Sequence, residues 1–110
     1  MPTKYCLAVD LKDDPELIAE YEKIHEAIWP EIHASICAAG ITNMEIYRVM
    51  NRLFMIMETD ETFSFEKKNA ADLSSEIVQK WETMLWKYQQ PLPIAKNGEK
   101  WIRMDKIFQL

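Results

Sequence analysis

The chain has 110 residues, of which 48% are hydrophobic and 28% charged. These proportions are typical of a globular domain and exclude extensive disorder or a fibrous structure. The length allows a single domain, residues 1–110, with a modest core. The net charge of −5 argues against a nucleic-acid-binding protein, because neutralising phosphates requires a clustered basic face.

The first half of the chain predicts a strand followed by an interrupted helix. Tyr5–Val9 is a short apolar run bounded by charge, as expected for a strand. Asp14–Pro15 is typical of a helix N-terminus, and apolar residues then recur at helical spacing. Proline lacks a backbone N–H and disfavours a helical residue before it, so a break or kink is expected at Trp29–Pro30. The pattern then resumes and ends at Gly40.

The second half predicts a hairpin, two helices and a final strand. Thr42–Met50 and Leu53–Glu58 are predicted strands, and their short connection favours antiparallel pairing. Alternate residues of the first strand should share one face of the sheet. The remaining predicted elements are a weakly patterned helix over Glu61–Ala71, a helix over Glu76–Gln89 capped by Ser74 or Ser75, and a last strand over Trp101–Phe108.

The predicted order of strand, helix, strand, strand, helix and strand is that of the split-βαβ, ferredoxin-like α+β plan. In this plan helices cover one face of an antiparallel sheet and leave the other face open. An uncovered apolar face is a liability unless it lines a pocket or meets a partner. A homodimer whose sheets face each other is therefore the expected assembly.

Several classes of site and location are disfavoured. No apolar run approaches the ~20 residues that span a bilayer, so no membrane association is expected. Met1–Asp10 lacks the apolar core of a signal peptide, which favours the cytoplasm and predicts that Cys6 and Cys37 are reduced and mostly buried. With two glycines in the chain, a glycine-rich phosphate loop or dinucleotide fingerprint is excluded. The two histidines are eight residues apart, a poor chelating pair on one helix, and no metal site is expected.

Two aromatic segments are candidates for a ligand site. Tyr21, His25 and Trp29 recur at intervals of four residues and would form one stripe on a helix. Trp81 and Glu82 lie in a second aromatic patch. Aromatic rings stack on the C–H faces of sugars, and histidine titrates near neutrality. Aromatic residues at helical spacing also commonly form core, so composition and spacing leave both interpretations open.

These segments resemble the L-rhamnose mutarotase family. The resemblance rests mainly on a motif that begins at Tyr21 and continues as His25, Ile28, Trp29, Pro30 and Glu31. Further similarities, in order along the chain, are Gly40-x-x-Asn43-x-x-Ile46-Tyr47, the run Leu53–Glu58, Gln79-Lys80-Trp81 and Lys106-Ile107-Phe108.

The resemblance implies a dimeric α/β-barrel enzyme that interconverts sugar anomers without a cofactor. It implies that His25 is the proton donor and that Tyr21 contacts the sugar. The family has a tyrosine where this chain has Met44, and a Trp-Trp pair where it has Trp81 and Glu82. We therefore take Tyr21, Met44, Trp81, Glu82 and the motif residue Trp29 as the candidate substrate-binding residues.

The two departures leave the sugar open. Losing a tyrosine hydroxyl at Met44 and an indole at Glu82 changes how sugar hydroxyls are recognised. L-Rhamnose is the substrate that the resemblance implies, and L-fucose, another 6-deoxy-L-hexose, is a close competitor. Two further alternatives are a non-enzymatic dimeric sugar-binding module and a cofactor-free monooxygenase on the same barrel fold.

Overall fold

A computed structural model describes residues 3–110. Within this range the chain forms four helices and a five-stranded antiparallel sheet. In chain order the elements are β1 (Thr3–Leu11), α1 (Pro15–Ile24), α2 (Pro30–Ala38), β2 (Ile41–Val49), β3 (Arg52–Thr59), α3 (Phe65–Ser74), α4 (Glu76–Leu85), β4 (Gln89–Gln90) and β5 (Ile102–Arg103).

The sheet has the strand order β2-β3-β1-β4, and β5 also pairs with β1. Strand β1 is therefore central, with β3 along one edge and the two short strands along the other. This arrangement confirms the α+β, ferredoxin-like plan expected from the order of elements.

The two faces of the sheet differ in what covers them. Strands β1, β2 and β3 are in register, so residues that pair across them share a face. Ile46, Met55 and Leu7 form one such row, and all three belong to or pack on the apolar core beneath the helices. The next row lies on the open face and comprises Tyr47, Phe54 and Ala8. The predicted alternation of β2 is confirmed.

The long first helix is interrupted at a proline, as predicted. The Asp14 carboxylate caps α1 by accepting hydrogen bonds from the next turn, at 2.9 Å from Glu16 N and 3.2 Å from Leu17 N. Helix α2 restarts at Pro30 after an extended Trp29 with ψ 137°. The break is longer than expected, because α1 already ends at Ile24 and residues 25–29 are not helical.

Gly40 ends the second helix, also as predicted, and a residue with a side chain would be strained there. Its φ of +93° lies in the left-handed region that side chains disfavour. A Cβ atom at this position would lie 2.5 Å from Asp60 Oδ1 and 2.6 Å from Thr62 Oγ1. The glycine thus lets the α2–β2 turn pack against the loop that follows β3.

The later elements required correction. Helix α3 spans Phe65–Ser74 instead of Glu61–Ala71, because Ser64 caps it by accepting from Lys67 N at 3.0 Å. Helix α4 ends at Leu85 instead of Gln89, since the chain turns there to place Gln89–Gln90 against β1.

Two further expectations from the sequence were only partly right. The last strand, predicted over Trp101–Phe108, pairs with β1 only at Ile102–Arg103. Both cysteines are free, but Cys37 is exposed on α2 and Cys6 is partly buried, so the prediction of mostly buried thiols was wrong for Cys37. Among residues 3–110, no helix has the length and apolar character needed to cross a membrane.

Candidate active site

A cavity of about 250 Å³ lies between the helix-covered face of the sheet and the helices. Its walls are mostly apolar side chains, and Tyr21, His25, Glu82 and Gln89 are among its polar lining residues. Pockets for drug-sized ligands usually span about 300–1,000 Å³, so this cavity suits a smaller molecule.

A wider groove adjoins the cavity. The two spaces share Tyr21, His25, Met44 and Ile46 as lining residues. The groove is also lined by Glu22 and Arg48, whose side chains form an ion pair across its wall. These four shared residues therefore line the junction between the cavity and the more open groove.

His25 is held by the backbone at the end of α1. Its Nδ1 lies 2.9 Å from the carbonyl oxygen of Tyr21, one helical turn earlier. A carbonyl can only accept, so Nδ1 carries the proton of the neutral ring and Nε2 is left as an acceptor. Burial lowers the pKa of His25 below its ordinary value of 6.5 and favours this neutral form, against a smaller opposing effect of the backbone hydrogen bond.

Tyr21 is buried beside the histidine, with 3% of its surface exposed. The two rings are stacked with their centroids 4.2 Å apart. Burial raises the pKa of Tyr21 to about 12, so the phenol keeps its proton at neutral pH. Tyr21 is therefore a hydrogen-bonding group and not a group that exchanges its proton.

Trp81 brings the two aromatic segments together. Its ring centroid lies 5.7 Å from that of His25 and 5.0 Å from that of Trp29, and the two indoles meet edge to face. Trp81 lines the cavity and is 5% exposed. Trp29 is not among the lining residues, so it supports Trp81 from behind instead of reaching the cavity.

Glu82 lines the cavity, and its carboxylate is bound to Lys100. The distance from Lys100 Nζ to Glu82 Oε2 is 2.5 Å, and the same ammonium also donates to the Glu82 carbonyl at 3.3 Å. Lys100 further lies over the ring of Trp86, 4.7 Å from its centroid. Lys100, at the end of the loop over residues 91–100, is thus tied to α4, and the acceptor that orients His25 is the Tyr21 carbonyl and not Glu82.

Met44 lies on the helix-covered face of β2 and lines both the cavity and the groove. Of the six candidate residues, the structure thus brings Tyr21, His25, Met44, Trp81 and Glu82 to one cavity. Trp29 stands behind it.

Sequence reasoning missed Gln89, which is 2% exposed and lines the same cavity. It lies in β4, where the sequence predicts the last turn of a helix. A single glutamine after Tyr88 gives little indication of a site in the sequence. Because the helix was predicted to continue to Gln89, the sequence did not place this residue in a strand beside the cavity.

Comparison with known proteins decides the family. The family model described as L-rhamnose mutarotase matches residues 4–110. The chain belongs to the L-rhamnose mutarotase family. Members of this family are isomerases that act on sugars, and the chain is accordingly an enzyme of that class.

The relatives extend over nearly the whole chain. An L-fucose mutarotase from Xanthomonas campestris is 40% identical over 109 residues, covering 97% of this chain and 87% of that protein. The crystal structure of an L-rhamnose mutarotase from Formosa agariphila superposes with a TM-score of 0.73 at 19% identity, over 98% of each chain. A dimeric ferredoxin-like protein from an uncultured marine organism has a TM-score of 0.61 at 17% identity, over 100% of this chain and 98% of that one.

Two candidate residues at which the sequence resemblance implies a departure lie in the cavity. Met44 and Glu82 stand where the resemblance places a tyrosine and a tryptophan, and both line the cavity beside His25. Both positions therefore lie where a ligand in the cavity would contact the protein, in the same lining as His25.

Proposed function

We propose that this enzyme interconverts the α and β anomers of a 6-deoxy-L-hexose, with L-fucose preferred to L-rhamnose. The observation that carries the proposal is the neutral His25, whose Nδ1 is bound to the Tyr21 carbonyl and whose Nε2 is left to act at the cavity. Histidine in this state is suited to general acid–base catalysis near neutral pH.

The reaction moves one proton between two oxygens of the sugar. His25 Nε2 takes the proton from the anomeric hydroxyl O1, the C1–O5 bond breaks, and its electron pair passes to O5. The imidazolium then gives the same proton to O5, which leaves the open-chain aldehyde and a neutral His25. Rotation about C1–C2 and the reverse steps form the other anomer. Because O1 and O5 are both bonded to C1, a single imidazole can serve both.

The walls of the cavity match the rest of such a sugar. The Tyr21 phenol keeps its proton and can donate to a sugar oxygen. Trp81 offers an indole for the C–H face of the ring. The apolar lining, which includes Met44, Ile46 and Met57, suits the C6 methyl group that distinguishes a 6-deoxy sugar.

The preference for L-fucose rests on the cavity departures and on one relative. Met44 and Glu82 replace groups that the resemblance assigns to sugar recognition, so the cavity should not recognise the hydroxyls of L-rhamnose in the family's usual way. The Xanthomonas relative, which aligns with 97% of this chain, carries the name L-fucose mutarotase. The acid–base step is common to both sugars and does not depend on this choice.

Exchange NMR on the anomeric protons tests the proposal. We expect the enzyme to accelerate α/β exchange of L-fucose more than that of L-rhamnose at equal concentrations. D-Fucose is the matched control, because a mirror-image sugar has the same uncatalysed rate in buffer. Equal exchange of L- and D-fucose with and without enzyme would refute mutarotation of this sugar, and saturable binding without acceleration would indicate a sugar-binding module instead.

The pH profile follows from the state of His25. Only the neutral imidazole can accept the anomeric proton, so activity should be lost as pH falls through the pKa of His25. Since burial lowers that pKa, the midpoint of the acidic limb of kcat/KM should lie below pH 6.5. Exchange rates corrected for the buffer reaction at each pH measure this profile, and an acidic limb centred above pH 6.5 would contradict the assignment.

We further propose that the enzyme is a homodimer whose open sheet faces meet. The face that no helix covers carries apolar or aromatic side chains on all three long strands, and Tyr47 on β2 is 53% exposed. Its central residues are Cys6, Ala8, Phe54 and Ile56. A second copy supplies the same apolar surface in return, as a two-fold interface requires. The ferredoxin-like structural neighbour is described as dimeric, which supports this assembly.

A charge on the open face should separate the subunits. Ile56→Lys puts an ammonium into the middle of the proposed interface, where a desolvated, unpaired charge is strongly disfavoured. By light scattering after gel filtration, the unaltered protein should have twice its chain mass of 13.0 kDa and the variant the chain mass alone. Leu73→Lys is the control, since Leu73 is 67% exposed on α3, away from this face. An Ile56→Lys protein that stays dimeric would place the interface elsewhere.

A further inference from the structure

Gln89 is a buried polar side chain with hydrogen-bonding capacity to spare. It is 2% exposed, and its Nε2 donates to the Tyr21 hydroxyl across a long 3.4 Å. Its Oε1 has no hydrogen-bond partner among the described residues. Buried polar atoms in folded proteins are almost always paired, so an unpaired amide oxygen on a residue that lines the cavity points to a partner that comes with the ligand.

The position of Gln89 is set by the backbone. It follows α4 and lies in β4, paired with Leu11 of the central strand. The neighbouring Tyr88 carbonyl accepts from Lys12 N at 2.8 Å and closes the same edge. The backbone that carries the carboxamide is therefore held in the sheet before any ligand binds.

The spare group remains whichever way the carboxamide is turned. With Nε2 toward Tyr21, the oxygen is free to accept and the phenol proton is free to be donated. With the oxygen toward Tyr21, the phenol donates to it and the NH₂ group is left without a partner. Either orientation leaves a polar amide group at the cavity beside the ring that stacks on His25.

We propose that the Gln89 carboxamide, together with the Tyr21 hydroxyl, recognises one ring hydroxyl of the sugar and so determines which 6-deoxy-L-hexose the enzyme prefers. A sugar hydroxyl both donates and accepts, so it can bond to an amide and a phenol together. L-Fucose and L-rhamnose differ in the orientation of the hydroxyls at C2 and C4. A hydroxyl that points away from Gln89 leaves the buried amide unpaired, and such a mismatch discriminates well between substrates.

Four sugars isolate the effect, which rests on the proposed mutarotase function. L-Fucose, L-rhamnose, 6-deoxy-L-glucose and 6-deoxy-L-talose cover every combination of the two orientations at C2 and C4. We expect the unaltered enzyme to prefer one orientation at one of these carbons by about tenfold, the size of a single neutral hydrogen bond. Gln89→Met keeps the length of the side chain but not its polarity. In this variant the preference should disappear, with a ratio of exchange rates of about one, while any preference at the other carbon remains.

The controls separate recognition from folding. Gln90→Met changes the exposed neighbouring glutamine and should keep all four relative rates. Gln89→Met should remain folded, with at most a modest fall in the midpoint of urea unfolding, because the bond that it removes to the Tyr21 hydroxyl spans a long 3.4 Å. If Gln89→Met keeps the ratios among the four exchange rates, whether or not all four rates fall together, the proposal is overturned.

Failure of the mutarotase proposal is a separate outcome. If the unaltered protein accelerates none of the four sugars, that proposal is wrong, and equilibrium binding of the same sugars, followed by protein NMR shifts, still tests Gln89. Loss of the orientation preference in binding by Gln89→Met would support its role, and unchanged relative affinities would refute it.

Discussion

Replacing His25 by alanine should lower the enzyme's acceleration of anomer exchange by about 10²–10⁴-fold, the usual contribution of a general acid–base group. The variant keeps the cavity and its aromatic walls but lacks the imidazole. The affinity for the sugar should change much less than the exchange rate, because His25 is proposed to stabilise the transition state of proton transfer more than the bound ground state. Exchange NMR gives the rate, and a sugar titration followed by protein NMR gives the affinity.

The second histidine supplies the matched control. His33 is exposed on α2 and does not line the cavity, so His33→Ala should exchange sugars like the unaltered enzyme. His25→Asn is a useful second variant, since it keeps a polar side chain that cannot titrate. A folded His25→Ala protein with undiminished exchange would remove the imidazole from the mechanism.

Truncating Trp81 should lower the free energy of unfolding by about 3–5 kcal/mol, as is typical of a buried aromatic residue replaced by alanine. Trp81 belongs to the main core and contacts both Trp29 and His25. The loss is comparable to the whole stability of a weakly stable small domain. Urea unfolding followed by circular dichroism measures it, and in the folded fraction the KM for the sugar should rise because the stacking surface is gone.

Two other variants serve as controls for Trp81→Ala. Trp81→Phe keeps an aromatic ring and should lose less than Trp81→Ala in both stability and sugar affinity. Trp86→Ala removes an indole that is only half-buried and should cost less than half as much stability. Equal losses at positions 81 and 86 would show that Trp81 has no special place in the core.

Local signals in the sequence were reliable where one residue type decides the backbone. Asp14 caps α1, Pro30 starts α2 and Gly40 ends it, because carboxylate capping, a missing N–H and a positive φ are each strong local constraints. The alternation of β2 also predicted which of its residues share a face of the sheet. The spacing from Tyr21 to Trp29 predicts one helical stripe, but the helix ends at Ile24. Tyr21 stacks on His25, and Trp29 is linked to His25 through Trp81.

The errors arose where distant segments decide the structure. Tyr88 and Gln89 continue a helical pattern, yet they leave the helix because β1 offers an unpaired edge. The same pairing places Gln89 in the cavity, which no periodicity in its neighbourhood indicates. The spacing around Glu82 likewise gives no sign that Lys100, 18 residues later, binds its carboxylate. The spacing of residues within one segment does not predict which distant segment it will pair with.

The acceptor that holds His25 is a main-chain carbonyl, and this affects how the enzyme can evolve. Every amino acid carries that carbonyl, so a codon change at position 21 alters the phenol but leaves the oxygen behind. The tautomer of the histidine is thereby shielded from the mutations that alter sugar recognition. Substitutions of side chains around the cavity, including one at position 21, therefore leave the hydrogen-bond acceptor of His25 in place.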